Sequence, residues 1–136
     1  MTRKIVAVVA GTVVAFGWVA LLEAIGHAWY PPPAGLDFHN PEHLKVYAAT
    51  VPLAALWWIL GAWFVATFAG GWLAAFVARE KPAHFAAIVG ALVLAATIAK
   101  LVMITHPVWF SITAIIAIPL AAAAAGAVGN ACSRTR

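Results

Sequence analysis

Charge is what this chain has least of: aspartate and glutamate together number four in 136 residues, and the charged fraction is 9%, against roughly 25% in an average soluble domain. With 65% of its residues hydrophobic, a water-soluble fold this small has too little interior to hide the apolar surface. Cysteine occurs once, as Cys132, so an intramolecular disulfide is excluded and no oxidising compartment is implied. That residue reads as a small apolar filler, with palmitoylation beside the last apolar run as the other option. Also missing are a glycine-rich phosphate loop, a His-Glu-x-x-His helix and a Ser/His/Asp set on one side of a membrane. A haem bridging helices needs facing histidines deep in a bundle, and only His27 comes near that depth. These absences argue against an enzyme, and no cofactor is expected.

What is present is a succession of long apolar runs. About 20 apolar residues at 1.5 Å rise cover a hydrocarbon core of about 30 Å, and the first run is free of charge from Ile5 to Leu22. Four spans are expected, at about 5–28, 47–78, 83–104 and 108–129. The reading is all-α: one transmembrane domain over 1–136, an integral membrane four-helix bundle running up-down-up-down. Met1-Thr2-Arg3-Lys4 before an apolar run also has the look of a secretory signal, whose apolar region is about 7–15 residues. Here the run is longer and passes through Trp18 into Glu23 without a convincing small-residue cleavage site, so an uncleaved first helix is expected.

Lysine and arginine at span ends stay cytoplasmic. Arg3 and Lys4, Arg79 and Lys81, and Arg134 and Arg136 all fall on one side, while Lys45 and Lys100 lie toward the other. Both termini are therefore expected in the cytoplasm of a bacterial inner-membrane protein, and the net charge of +4 reflects this bias and not an affinity for nucleic acid. Trp29, Tyr30, Tyr47, Trp57, Trp58, Trp109 and Phe110 gather toward the outer boundary, where amphipathic rings favour the headgroup level. In the first outer loop Pro31-Pro32-Pro33 enforces an extended segment. Asn40-Pro41-Glu42 reads as cap, first-turn proline and first-turn acid of a short interfacial helix that bends near Pro52 into the second span.

Small residues let helix backbones touch where no hydrophobic effect drives association. Ala62, Ala66, Gly70, Ala74 and Ala78 recur every fourth position in the second span, and Ala83, Ala87, Ala91, Ala95 and Ala99 in the third. With a short turn between them, the two ladders are expected to face each other. In the first span Ala7, Gly11 and Ala15 share a face with Val19, Glu23 and His27, which turns the carboxylate inward. Pro119 predicts a kink in the fourth span.

The ionisable groups carry the functional signal. Glu23 stands 18 residues after Ile5 and Lys100 stands 18 after Pro82, about 27 Å along parallel-running helices, so the two are expected at one depth and able to pair. A charge in mid-span costs roughly 2.5–3.5 kcal/mol, which favours pairing or neutralisation. His27 one turn on, and His106 in the turn between the third and fourth spans, complete a polar cluster of Glu23, His27, Lys100 and His106. Glu23 and His27 with His106 and His43 also form the nearest approach to a metal set. With no cysteine on that side and Pro41 interrupting His39 and His43, no metal is expected.

Glu23-x-x-x-His27, Pro31-Pro32-Pro33, Gly70-Gly71-Trp72 and His106-Pro107-Val108-Trp109-Phe110 together resemble a group of small four-span bacterial inner-membrane proteins of unknown function. The likeness runs the length of the chain and implies a fold class without an activity. Small multidrug transporters keep their acid in the middle of the first span, and the Asn, Phe-Thr and Gly patterns of fluoride channels are missing, so neither matches. The reading is a non-enzymatic structural or accessory membrane protein surrounded by lipid, with self-association or a partner membrane protein as options. The alternative is a small transporter or sensor that binds a proton, ion or solute through Glu23, His27 and Lys100.

Overall fold

A computed structural model describes residues 1–135. Five helices follow one another: α1 (Thr2–Trp29), α2 (Pro41–Thr50), α3 (Leu53–Ala78), α4 (Pro82–Met103) and α5 (Val108–Arg134), with no strand among the described residues. All but α2 are long and apolar enough to cross a bilayer. They alternate in direction as an up-down-up-down bundle, and the protein is a multi-pass, all-helical membrane protein. One end of the bundle carries α2. The opposite end carries the N-terminus, the α3–α4 turn and the end of α5, with Arg3, Lys4, Arg79, Lys81 and Arg134 among its residues; Arg136 lies outside the described residues.

Glycine and alanine decide how close the helices come. Along the antiparallel α1–α3 pair, a Cβ on Gly11 would stand 2.6 Å from the Gly70 carbonyl oxygen, and one on Gly26 would stand 2.7 Å from the Trp58 ring. On the other side of the bundle Gly126 lies against Ala83, and Gly129 against Ala75 and Pro82. Phe110, Ile118, Val89, Val93 and Thr67 fill the centre as its largest fully buried side chains.

The two alanine ladders do not meet. Ala62, Ala66, Gly70, Ala74 and Ala78 are all buried, but their partner is α1, where Gly70 abuts Gly11 and Ala15. Ala83, Ala87, Ala91, Ala95 and Ala99 are all exposed, and Ala83 meets Gly126 of α5, not α3. Between α3 and α4 the close approach lies one residue over, with Gly71 against Ala86 and Thr67 near Gly90. The reason is packing: α4 turns Phe85, Val89 and Val93 into the core, where van der Waals contact holds helices together in lipid, and its alanine face is left outward.

The second span is shorter than expected. Residues 47–50 belong to α2, and the membrane helix begins at Leu53, because Pro52 offers no N–H and holds Val51 extended. The interfacial helix itself forms as anticipated, with the Asn40 side chain accepting from the Glu42 N–H at 3.0 Å. α5 continues as helix through Pro119. At the terminal end Arg3 donates to the Val77 and Ala78 carbonyls at 3.0 and 2.7 Å, closing the orphan acceptors at the end of α3.

Candidate functional site at the α2 end

The antiparallel register of α1 on α3 and the parallel run of α1 beside α4 carry Glu23 and Lys100 to one height. The Lys100 ammonium donates to Glu23 Oε1 at 2.5 Å, and the Trp63 indole N–H donates to the same oxygen at 2.9 Å. Three helices thus converge on one carboxylate. Oε2 has no protein donor among the described residues. Lys100 Nζ also stands 5.7 Å from the centre of the Trp63 ring, within cation–π range.

His106 lies in the α4–α5 turn, stacked on Phe110 with ring centroids 4.8 Å apart and 11° between planes. Its Nδ1 is 2.7 Å from the Ile104 carbonyl oxygen. A carbonyl only accepts, so Nδ1 carries the proton and Nε2 is left as an acceptor. Burial pushes the His106 pKa below its ordinary 6.5; the Ile104 hydrogen bond opposes this and the nearby Lys100 charge adds to it.

Glu23, His27, Lys100 and His106 all line one cavity of about 230 Å³. No Cα of α2 comes within 8 Å of another helix, and the cavity is the space left beneath it, roofed by Leu44, Tyr47 and Ala48. Tyr30, Phe38, Trp58 and Trp63 supply further aromatic wall. The pocket is therefore largely apolar, with one ion pair and two histidines, His27 and His106, in its lining.

The four residues of the expected cluster share the cavity, yet they are not one hydrogen-bonded unit. His27 is exposed, and among the described residues its side chain makes no hydrogen bond or ion pair with Glu23 or Lys100. His43 accepts from the Asp37 N–H at 3.3 Å, and among the described residues no three His, Cys, Asp or Glu side chains gather as a ligand set. The His84 ring stands edge-on to that of its neighbour Phe85, with centroids 5.6 Å apart. Phe110, expected at the headgroup boundary, is fully buried and meets Trp63 edge-on at 5.7 Å.

Trp63 is the site residue that the sequence reading missed. A signal existed: a tryptophan ten residues into a membrane helix, away from either boundary, must find an acceptor for its N–H. Trp58, nearer the boundary, solves the same problem by donating to the Leu22 carbonyl at 2.8 Å.

Fold and site together define a four-helix membrane protein with an aromatic, ion-pair-bearing cavity at one end. Against known proteins the chain matches no family model, no curated protein and no solved structure.

Proposed function

We propose that the chain is a non-enzymatic accessory protein of the bacterial inner membrane whose α2-end cavity receives a small solute from the outer side. One observation carries this reading: the Glu23–Lys100 pair sits in the wall of an open cavity, with the Lys100 side chain 45% exposed, and is not sealed between helices. Intramembrane acids are candidate sites by default, and an apolar pocket with few convergent polar groups is the usual form of a small-molecule site. The compartment is proposed on the motif resemblance of Glu23-x-x-x-His27 and His106-Pro107-Val108-Trp109-Phe110 to small four-span inner-membrane proteins. The basic end supports termini in the cytoplasm. Arg79 and Lys81 hold that end with φ of 62° and 46°, conformations glycine adopts at less cost, so cations occupy positions where backbone geometry alone favours another residue.

A thermal-shift screen of polar and amphiphilic small solutes, run on the chain in lipid nanodiscs, tests the reading. Solutes that bind are expected to stabilise the native chain and not Ala48→Trp, in which the indole fills the space beneath α2. A screen in which no stabilisation depends on the open cavity removes it.

A second reading is favoured by the convergence of α1, α3 and α4 on Glu23: the pair fastens helix register and nothing more. In that case Glu23→Gln and Lys100→Met should show a coupling energy of roughly 0.5–3 kcal/mol in a double-mutant cycle, while the screen stays silent.

A further inference from the structure

The cavity's chemistry points to the charge of its occupant, provided that the binding reading above holds. The two members of the ion pair are held unequally. Glu23 is 22% exposed, accepts from two donors on two other helices, and stands one turn before Gly26, which is wedged against Trp58. Lys100 is 45% exposed and lies in the last turn of α4, and its ammonium hydrogen-bonds only to Glu23 among the described residues. Its ammonium rides on a flexible four-carbon stem that reaches the headgroup level without moving the helix. The anion is therefore the fixed partner and the cation the exchangeable one.

The seat that Lys100 occupies has the makings of an organic-cation site. A carboxylate provides the counter-charge, the Trp63 face lies 5.7 Å from the nitrogen, and Tyr30, Phe38, Tyr47 and Trp58 continue the aromatic wall. Carboxylate plus aromatic faces is how ammonium groups with apolar substituents are recognised. An anionic solute would instead have to evict Glu23, the better-held member, from two donors.

We propose that Lys100 is a built-in stand-in for an organic ammonium ligand. A lipophilic amine or quaternary ammonium cation enters beneath α2, takes the place of Nζ between Glu23 and Trp63, and the Lys100 side chain swings outward as it does so. No covalent change is involved; one cation replaces another beside a fixed carboxylate.

Three water-soluble single-ring aromatic probes of different charge separate the possibilities: benzyltrimethylammonium, benzyl alcohol and benzoate. Each is titrated into the full chain in nanodiscs by calorimetry, together with the NMR signal of the Trp63 indole N–H, assigned from its absence in Trp63→Phe. The cation is expected to bind saturably and shift that signal. Lys100→Met, which deletes the internal competitor, is expected to tighten the cation about tenfold or more, as removal of an occupied competing state should. Glu23→Gln is expected to abolish its binding. Equal or tighter binding of benzyl alcohol or benzoate overturns the ammonium assignment and leaves the cavity a binding site. Weaker cation binding in Lys100→Met overturns the stand-in role, and Trp63→Phe, which keeps a π-face, reports on the seat if that variant fails to fold. Saturable binding of none of the three probes, in the native chain and in Lys100→Met alike, overturns both this inference and the function it rests on.

Discussion

His106 holds a proton on Nδ1 because the Ile104 carbonyl demands it, and burial resists a second proton on Nε2. The folded chain thus binds that proton more weakly than the unfolded chain, so stability is full above about pH 6.5. It declines as pH drops from there to the lower folded-state value, below which the loss is complete. Melting followed by circular dichroism at pH 7.5 and pH 5 should show a drop that is smaller in His106→Gln; an equal drop in both rejects the assignment. Glu23, His27, Tyr30, Tyr47 and Lys100 face the same cavity and are common to both proteins, so the difference isolates His106. Thr12 supplies a second residue-scale test, since its hydroxyl is buried with no hydrogen-bond partner among the described residues. Thr12→Val should stabilise the bundle by about 1 kcal/mol, the order of an unsatisfied buried polar group, and a loss of that size in thermal unfolding would refute it. At this scale the sequence was informative about Glu23 and Lys100, because equal residue counts along parallel helices place side chains at equal depth. For Trp63 it signals only that a mid-span indole N–H needs an acceptor; which acceptor depends on how α3 is rotated about its axis.

Among the helices, glycines differ sharply in what surrounds them. Gly70 has the Gly11 carbonyl oxygen and the Ala15 backbone and Cβ in the space a side chain would need, whereas nothing approaches within 4 Å of the corresponding position on Gly61. Gly70→Val should therefore cost about 1–3 kcal/mol or more, as overpacking against an unyielding backbone does, with α1 pushed off α3. Gly61→Ala should be neutral or stabilising by about 0.4–1 kcal/mol. Unfolding of the two variants in the same lipid checks the pair, and similar losses in both would mean that α1 and α3 are not in close contact. Helix number, the Asn40 cap and the break at Pro52 were all legible, since length, capping chemistry and a missing N–H are local properties. The partner of each small-residue ladder was not. A four-residue repeat gives a face, but the neighbour that face meets depends on where Phe85, Val89 and Val93 must go, which is settled only when all four helices compete for one interior.

Taken as a whole, the molecule separates its two ends by charge and by packing. The terminal end is cross-linked: Arg3 bonds the last carbonyls of α3, Lys4 lies 3.4 Å from Glu80, and glycines bring α5 against α3 and α4, around a cavity of about 220 Å³ lined by Ala75, Arg79, Gly129 and Cys132. The α2 end is looser, with an amphipathic helix standing off from the bundle above the cavity. A site meant to exchange a solute belongs at the looser end, where opening breaks the fewest contacts, so the orientation of the chain decides which compartment supplies the solute. Cys132 is exposed at the terminal end, and Ala34 is exposed in the loop before α2. In intact cells a membrane-impermeant maleimide should leave the native protein unlabelled and label an Ala34→Cys, Cys132→Ala variant introduced into the same strain. In inverted membrane vesicles the pattern should reverse. Labelling of Cys132 in intact cells would place the basic end outside, against the lysine and arginine bias, and would turn the cavity toward the cytoplasm as a receptor for internal rather than external solutes.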